Sequence, residues 1–196
     1  MERSVLSIPV GLLRPLHVVA MVALLSLTGC ADPPNHRFIV PNLKDIDTAR
    51  GPAPAYREAI TVAPVSGGKD VSILSIPYIS NADFQESLVR TLTNAKLASA
   101  SNGPFRLEAT LRLDQPFIAI NTTVTATIAY RLTEVATGAV VYDHTLVTPG
   151  TVTYFEVPVG SERMRYANWR AVRANLRMLV DHLYALPDPP TSSPRT

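Results

Sequence analysis

Cysteine is almost missing from this chain. Among 196 residues only Cys30 carries a thiol, which excludes an internal disulfide framework and a cysteine-rich metal site. An excess of one charge is missing as well. Without the first 29 residues the chain loses Arg3, Arg14 and Glu2, and the 18 basic and 16 acidic side chains become 16 and 15. That balance argues against a nucleic-acid-binding protein, which carries a clear basic excess. Catalytic signatures are absent too. There is no H-E-x-x-H, no clustered carboxylates and no G-x-S-x-G elbow. Ser66-Gly67-Gly68-Lys69 lacks the spacing of a phosphate-binding loop and reads as a simple turn. Neither a metal nor a cofactor is expected, and no internal repeat is present.

The amino-terminal region carries the most specific signal. Residues 1–14 hold two arginines, and an apolar run follows over residues 16–27 (LHVVAMVALLSL). The run has the length of a signal-peptide core and is too short for a bilayer, which needs ~20 residues. It ends in Leu27-Thr28-Gly29-Cys30, which resembles the bacterial lipobox. The resemblance implies cleavage between Gly29 and Cys30 and a diacylglyceryl thioether on Cys30, anchoring the chain in a membrane. It also accounts for the single cysteine. Ala31, rather than Asp, follows Cys30. The resemblance to lipoproteins, in which Asp at this place keeps the chain in the inner membrane, therefore implies the outer membrane, facing the periplasm, with the inner membrane as the alternative.

Four segments are expected: a signal peptide over 1–29, a lipidated cysteine and tether over 30–57, one domain over 58–186 and a disordered tail over 187–196. The tether contains Pro33, Pro34, Pro41, Pro52 and Pro54, a density that opposes both helix and central strand. The cluster Phe38-Ile39-Val40 offers a second reading, in which part of this segment packs on the domain. The tail holds four prolines and little that is apolar.

Within the domain, residues 59–65 (AITVAPV) read as a first strand. Residues 71–79, broken by Pro77, are either an edge strand or an extended approach to a helix. That helix starts at Asn81 as N-cap, with Asp83 in its first turn, and ends by 101–104. Phe84, Leu88, Leu92 and Ala95 form its apolar face. Residues 105–113 and 122–132 alternate apolar and polar, the pattern of a sheet with one covered face. Residues 134–138 form a hairpin loop, with Gly138 suited to a positive φ, and 139–147 return as the next strand. Residues 148–160, with two prolines and two glycines, read as a loop. From Ser161 as N-cap to Leu186, the residues Trp169, Val172, Leu176, Leu179 and Leu183 recur at helical spacing, and Pro187 stops the helix. The order β-α-β-β-β-α predicts an α+β two-layer sandwich, with two amphipathic helices on one face of a mostly antiparallel sheet.

Three features invite binding. Arg163, Arg165, Arg170, Arg173 and Arg177 crowd the last helix, a face suited to anionic headgroups, lipid A phosphates or an acidic partner. The plainer reading is a solvated helix face. The polar strand face of Thr123, Thr125 and Thr127 and the apolar loop around Tyr154 and Phe155 are the other candidates. Asp143-His144 and Asp181-His182 each set an imidazole beside a carboxylate, the raw material for general base chemistry. The plainer reading places both pairs on solvent-facing parts of a strand and a helix.

Residues 84–92 (FQESLVRTL), 105–113 and 130–141 (YRLTEVATGAVV), together with the lipobox, make the chain resemble small envelope lipoproteins. These include the lipopolysaccharide-assembly lipoprotein and auxiliary lipoproteins of ABC-type lipid transport systems. The resemblance implies a non-enzymatic accessory of an envelope transport or assembly machine. Its partners would be the membrane, through Cys30, and an outer-membrane barrel or ABC component. The Tyr-Arg-Leu strand and Thr-Gly hairpin also look like lipoprotein activators of peptidoglycan synthases, which implies a regulator of a cell-wall enzyme. An enzyme with an unrecognised site is the third reading.

Overall fold

Alternation along three long strands sets the architecture of the computed structural model, which describes residues 36–44, 51–70, 77–116 and 120–189. The expectations for the signal segment, Gly29, Cys30 and residues 71–76 and 190–196 lie outside the described residues. The elements in chain order are α1 (His36–Ile39), a 3-10 turn (Pro54–Tyr56), β1 (Ile60–Val62), α2 (Asn81–Asn94), β2 (Phe105–Asp114), β3 (Asn121–Glu134), β4 (Val140–Thr153) and α3 (Gly160–Tyr184). The sheet runs β1-β2-β3-β4. β1 pairs with β2 in parallel, across the connection that holds α2, and the other two pairings are antiparallel. α3 lies against β3 and β4, while α2 packs on β1 and α3. The result is the expected two-layer α+β sandwich with an open sheet. No described helix is long and apolar enough to cross a membrane.

The covered face of the sheet is apolar because every second residue is. Leu107, Val124, Ala126, Ile128 and Leu132 are all fully buried, as are Val172, Leu176, Leu179 and Leu183 of α3. Each such aliphatic side chain contributes ~1.5–3 kcal/mol by leaving water.

Several boundaries differ from the sequence expectation. The domain begins before residue 58. Ile39 is completely buried, the Phe38 ring stacks on Trp169 at 4.4 Å, and Tyr56 is buried against Phe105. The second reading of the Phe38-Ile39-Val40 cluster therefore holds: part of the proline-dense segment packs on the domain, where α1 contacts α2 and α3. Residues just past Pro187 also join the domain, since Asp188 Oδ1 accepts a hydrogen bond from the Ala55 N–H at 3.2 Å.

The N-cap of α2 is Ser80, not Asn81. Its hydroxyl oxygen accepts from the Asp83 N–H at 3.0 Å, and its O–H donates to Asp83 Oδ2 at 2.9 Å. Asn81 turns the other way and accepts the Gly68 N–H at 2.8 Å. The helix ends at Asn94, earlier than expected, because Lys96 takes φ +58 and turns the chain. The N-cap of α3 is Val159 rather than Ser161.

The largest difference is β4. The strand continues through Pro149 and Gly150 to Thr153, where the sequence read as a loop. β4 is the sheet edge, so the missing Pro149 N–H costs little. Gly150 faces α3, and a Cβ there would overlap Ala171 N and Ala167 O. Glycine thus admits the helix to the sheet rather than breaking the strand. The hairpin between β3 and β4 turns as expected, with Gly138 at φ +73 and its N–H bonded to Glu134 O.

Candidate functional site

Packing of α3 on the sheet decides what its polar side chains do. Arg163, counted in sequence among the solvent-facing arginines, is only 4% exposed. Its guanidinium donates to the carbonyls of Val157 and Pro158 at 2.8 and 2.9 Å and reaches Thr122 Oγ1. It holds the turn that leads into α3.

Arg170 donates to Thr151 O and pairs with Glu156 at 2.8 Å. That pair, followed by the backbone and hydroxyl of Thr153, holds the Glu156 carboxyl at about 2, against an ordinary 4.5. Arg173 donates to the Phe38 carbonyl, and burial together with Arg170 lowers its guanidinium below the usual arginine range. Arg165 pairs with Glu162 at 3.2 Å, and Arg177 is not free either. The five arginines therefore do not form one solvated cationic face. Arg163 is interior, and Arg170 and Arg173 bind other segments of the same chain.

Asn168 and Asn175 are buried on α3, which the sequence reading did not single out. Asn175 Oδ1 accepts from the Tyr130 hydroxyl at 3.0 Å, while its Nδ2 donates to Leu146 O at 2.9 Å and to Thr148 Oγ1 at 3.1 Å. Thr148 in turn donates to Ala171 O. Burial pushes the Tyr130 phenol well above its ordinary value, so it stays a neutral donor. Asn168 Nδ2 donates to Pro77 O at 2.9 Å, and Gln115 donates to both Pro77 O and Asn168 Oδ1. These groups are satisfied within the chain, as buried polar groups must be.

The two His-Asp pairs resolve differently. Asp143 points to the open face of the sheet and pairs with Arg131 at 2.9 Å. It does not orient His144. Instead, β4 and α3 bring His144 to within 6.0 Å of His182, ring to ring, with Tyr142 beside both. Tyr142 Oη lies 3.0 Å from His182 Nδ1, and burial pushes the Tyr142 phenol up to about 12. Sequence periodicity had no access to this cluster, because His182 lies 40 residues beyond Tyr142. Among the described residues no group of three or more His, Cys, Asp or Glu side chains is placed to hold a metal ion.

Two surfaces remain open. One is the sheet face away from the helices. Arg106 with Glu108, Arg112 with Asp114 and Arg131 with Asp143 pair across or along it, and Thr123 and Thr151 share a hydrogen bond at 2.9 Å. It is neutral and hydroxyl-rich. The other is the tip where β4 turns into α3. Phe155 is 93% exposed there, Ile120 77% and Val159 58%, with Tyr154 beside Phe155. Both surfaces were marked in sequence, by the threonine alternation and by the apolar residues of the 148–160 segment.

No family model matches the chain, and no curated protein matches it. Among solved structures it is similar to a Xanthomonas campestris protein of the DUF330 family, with 14% identity, a TM-score of 0.49, and coverage of 68% of this chain and 90% of that one. A minor lipoprotein of Acinetobacter baumannii has 12% identity and a TM-score of 0.45 over 66% of this chain and 92% of its own. The PelC dodecamer of Paraburkholderia phytofirmans has 18% identity and a TM-score of 0.44 over 69% and 93%.

Proposed function

We propose that this chain is a lipid-anchored envelope lipoprotein and a non-enzymatic accessory of a transport or assembly system for lipid or lipopolysaccharide. The observation that carries the reading is the coincidence of a basic start, an apolar run of signal-peptide length and the only cysteine at its end, in Leu27-Thr28-Gly29-Cys30. Ala31 favours the outer membrane over the inner one as the site of anchoring. Asp143 pairs with Arg131 rather than with His144, and the buried polar side chains of α3 are engaged by the chain's own backbone and side chains, which supports a binding role.

Cys30→Ala should abolish metabolic lipid labelling and leave an unprocessed precursor. Normal processing to a membrane-bound mature form would sink the lipoprotein reading. Crosslinking in cells followed by co-purification tests the accessory role. Capture of an outer-membrane barrel or an ABC transport component supports it. Capture of a peptidoglycan synthase would replace it with regulation of cell-wall synthesis.

A further inference from the structure

Of the nine large apolar side chains exposed among the described residues, Ile120, Tyr154, Phe155 and Val159 gather at one end, while Val135 and Val140 lie at the other. The register Asn121↔Thr153 sets Ile120 and Tyr154 at the ends of neighbouring strands, and the Tyr154 and Phe155 rings touch edge to face. The turn that bears them is tied down. Arg163 binds the carbonyls of Val157 and Pro158 and lies over the Tyr154 ring, while Glu156 binds Arg170 and Thr153. The apolar side chains are thus held outward on a firm support instead of folding back on the core. The acidic groups of this end are neutralised locally, Glu156 by Arg170 and Glu162 by Arg165.

The chain enters the domain beside the middle of α3. Phe38 stacks on Trp169, and Arg173 holds the Phe38 carbonyl. Trp169 is the tenth residue of α3 and lies about 14 Å along its axis from Gly160. Six peptide units join Cys30 to His36, and fully extended they span at most about 20 Å. Lipid on Cys30 would therefore hold the amino-terminal half of α3 within one short linker of the bilayer. An exposed Phe, Tyr, Ile and Val cluster at that end has the composition that partitions into the headgroup boundary.

We propose that the tip formed by Ile120, Tyr154, Phe155 and Val159 dips into the surface of the bilayer that holds the Cys30 lipid. It acts as a second contact that fixes the orientation of the domain. The open threonine face of the sheet is then presented in a defined direction. This inference rests on the lipoprotein reading above.

The test uses the full, lipidated protein in vesicles of phosphatidylethanolamine and phosphatidylglycerol with brominated acyl chains. Trp169→Phe removes the only native tryptophan, and Phe155→Trp or Val135→Trp then supplies a single reporter at either end of the sheet. Both positions are exposed, so thermal melting should stay near that of the parent. Quenching several-fold stronger at position 155 than at 135 is the expected result. Equal quenching at the two positions, or absent quenching at 155, would overturn the proposal. Mass spectrometry of the same preparation separates the two readings. Lipid on Cys30 with no quenching at 155 defeats the tip alone, and an unmodified Cys30 defeats both.

Discussion

Asn175 shows how one side chain joins two layers. It sits on α3, yet its amide accepts from Tyr130 on β3 and donates to Leu146 and Thr148 on β4. Asn175→Ala takes a buried partner from Tyr130 and Leu146, while Thr148 keeps its bond to Ala171 O, and each unsatisfied group costs ~1–3 kcal/mol. A loss of about 3 kcal/mol in chemical denaturation is expected, against about 1 kcal/mol for Tyr130→Phe. Equal, small losses would mean that the network adds little. Glu156 gives a pH-dependent prediction. Its ordinary value is 4.5 and its folded value about 2. Its stabilisation is therefore complete above pH 4.5 and fades as pH falls toward 2. In Glu156→Gln, the slope of stability against pH between 4.5 and 2 should be shallower than in the parent. An unchanged slope would show that the Arg170 contact does not persist in solution.

At the scale of elements, β4 is the instructive case. Its buried and exposed positions alternate from Leu146 to Val152, and Val152 is fully buried. Pro149 and Gly150 nonetheless look like loop residues in isolation, because the propensities of both count against strand. The edge position excuses the proline, and the helix crossing above requires the glycine. Gly150→Ala should destabilise the domain by about 2 kcal/mol or more, since the obstacle is backbone of α3 and not a flexible side chain. A melting temperature unchanged by this substitution would mean that α3 can move away from the sheet without loss. Glycine in such a position reports a close approach that no local pattern reveals.

For the whole molecule, the buried stripe of α3 holds the two layers together. Val172→Asp or Leu176→Asp places an unpaired charge where the side chain is fully buried, a cost on the order of 4 kcal/mol or more. That is comparable to the entire stability of a domain of this size. Loss of cooperative thermal unfolding by circular dichroism is the expected outcome, and near-parental melting would mean that this face does not pack on the sheet. The same packing dictates which surfaces stay available. With the helices on one face, the threonine-rich face and the apolar tip are left open, the latter being the surface proposed above to meet the membrane.

The element order, the apolar faces of both helices and the alternation of β2 and β3 were legible in the residues themselves, because periods of 3.6 and 2 are local properties of a chain. So were the lone Cys30 with its signal-like approach and the neutral charge balance. Tertiary structure alone decided which polar residues are interior. Arg163 and Asn175 look like solvent-facing helix residues until β3, β4 and the turn before α3 supply their partners. It also took Phe38 and Ile39 out of the tether and into the core, and it joined His144 to His182 while sending Asp143 to the opposite face. The physical reason is common to all of these. Burial and hydrogen-bond partners depend on contacts between residues tens of positions apart, and only the packed layers bring those residues together.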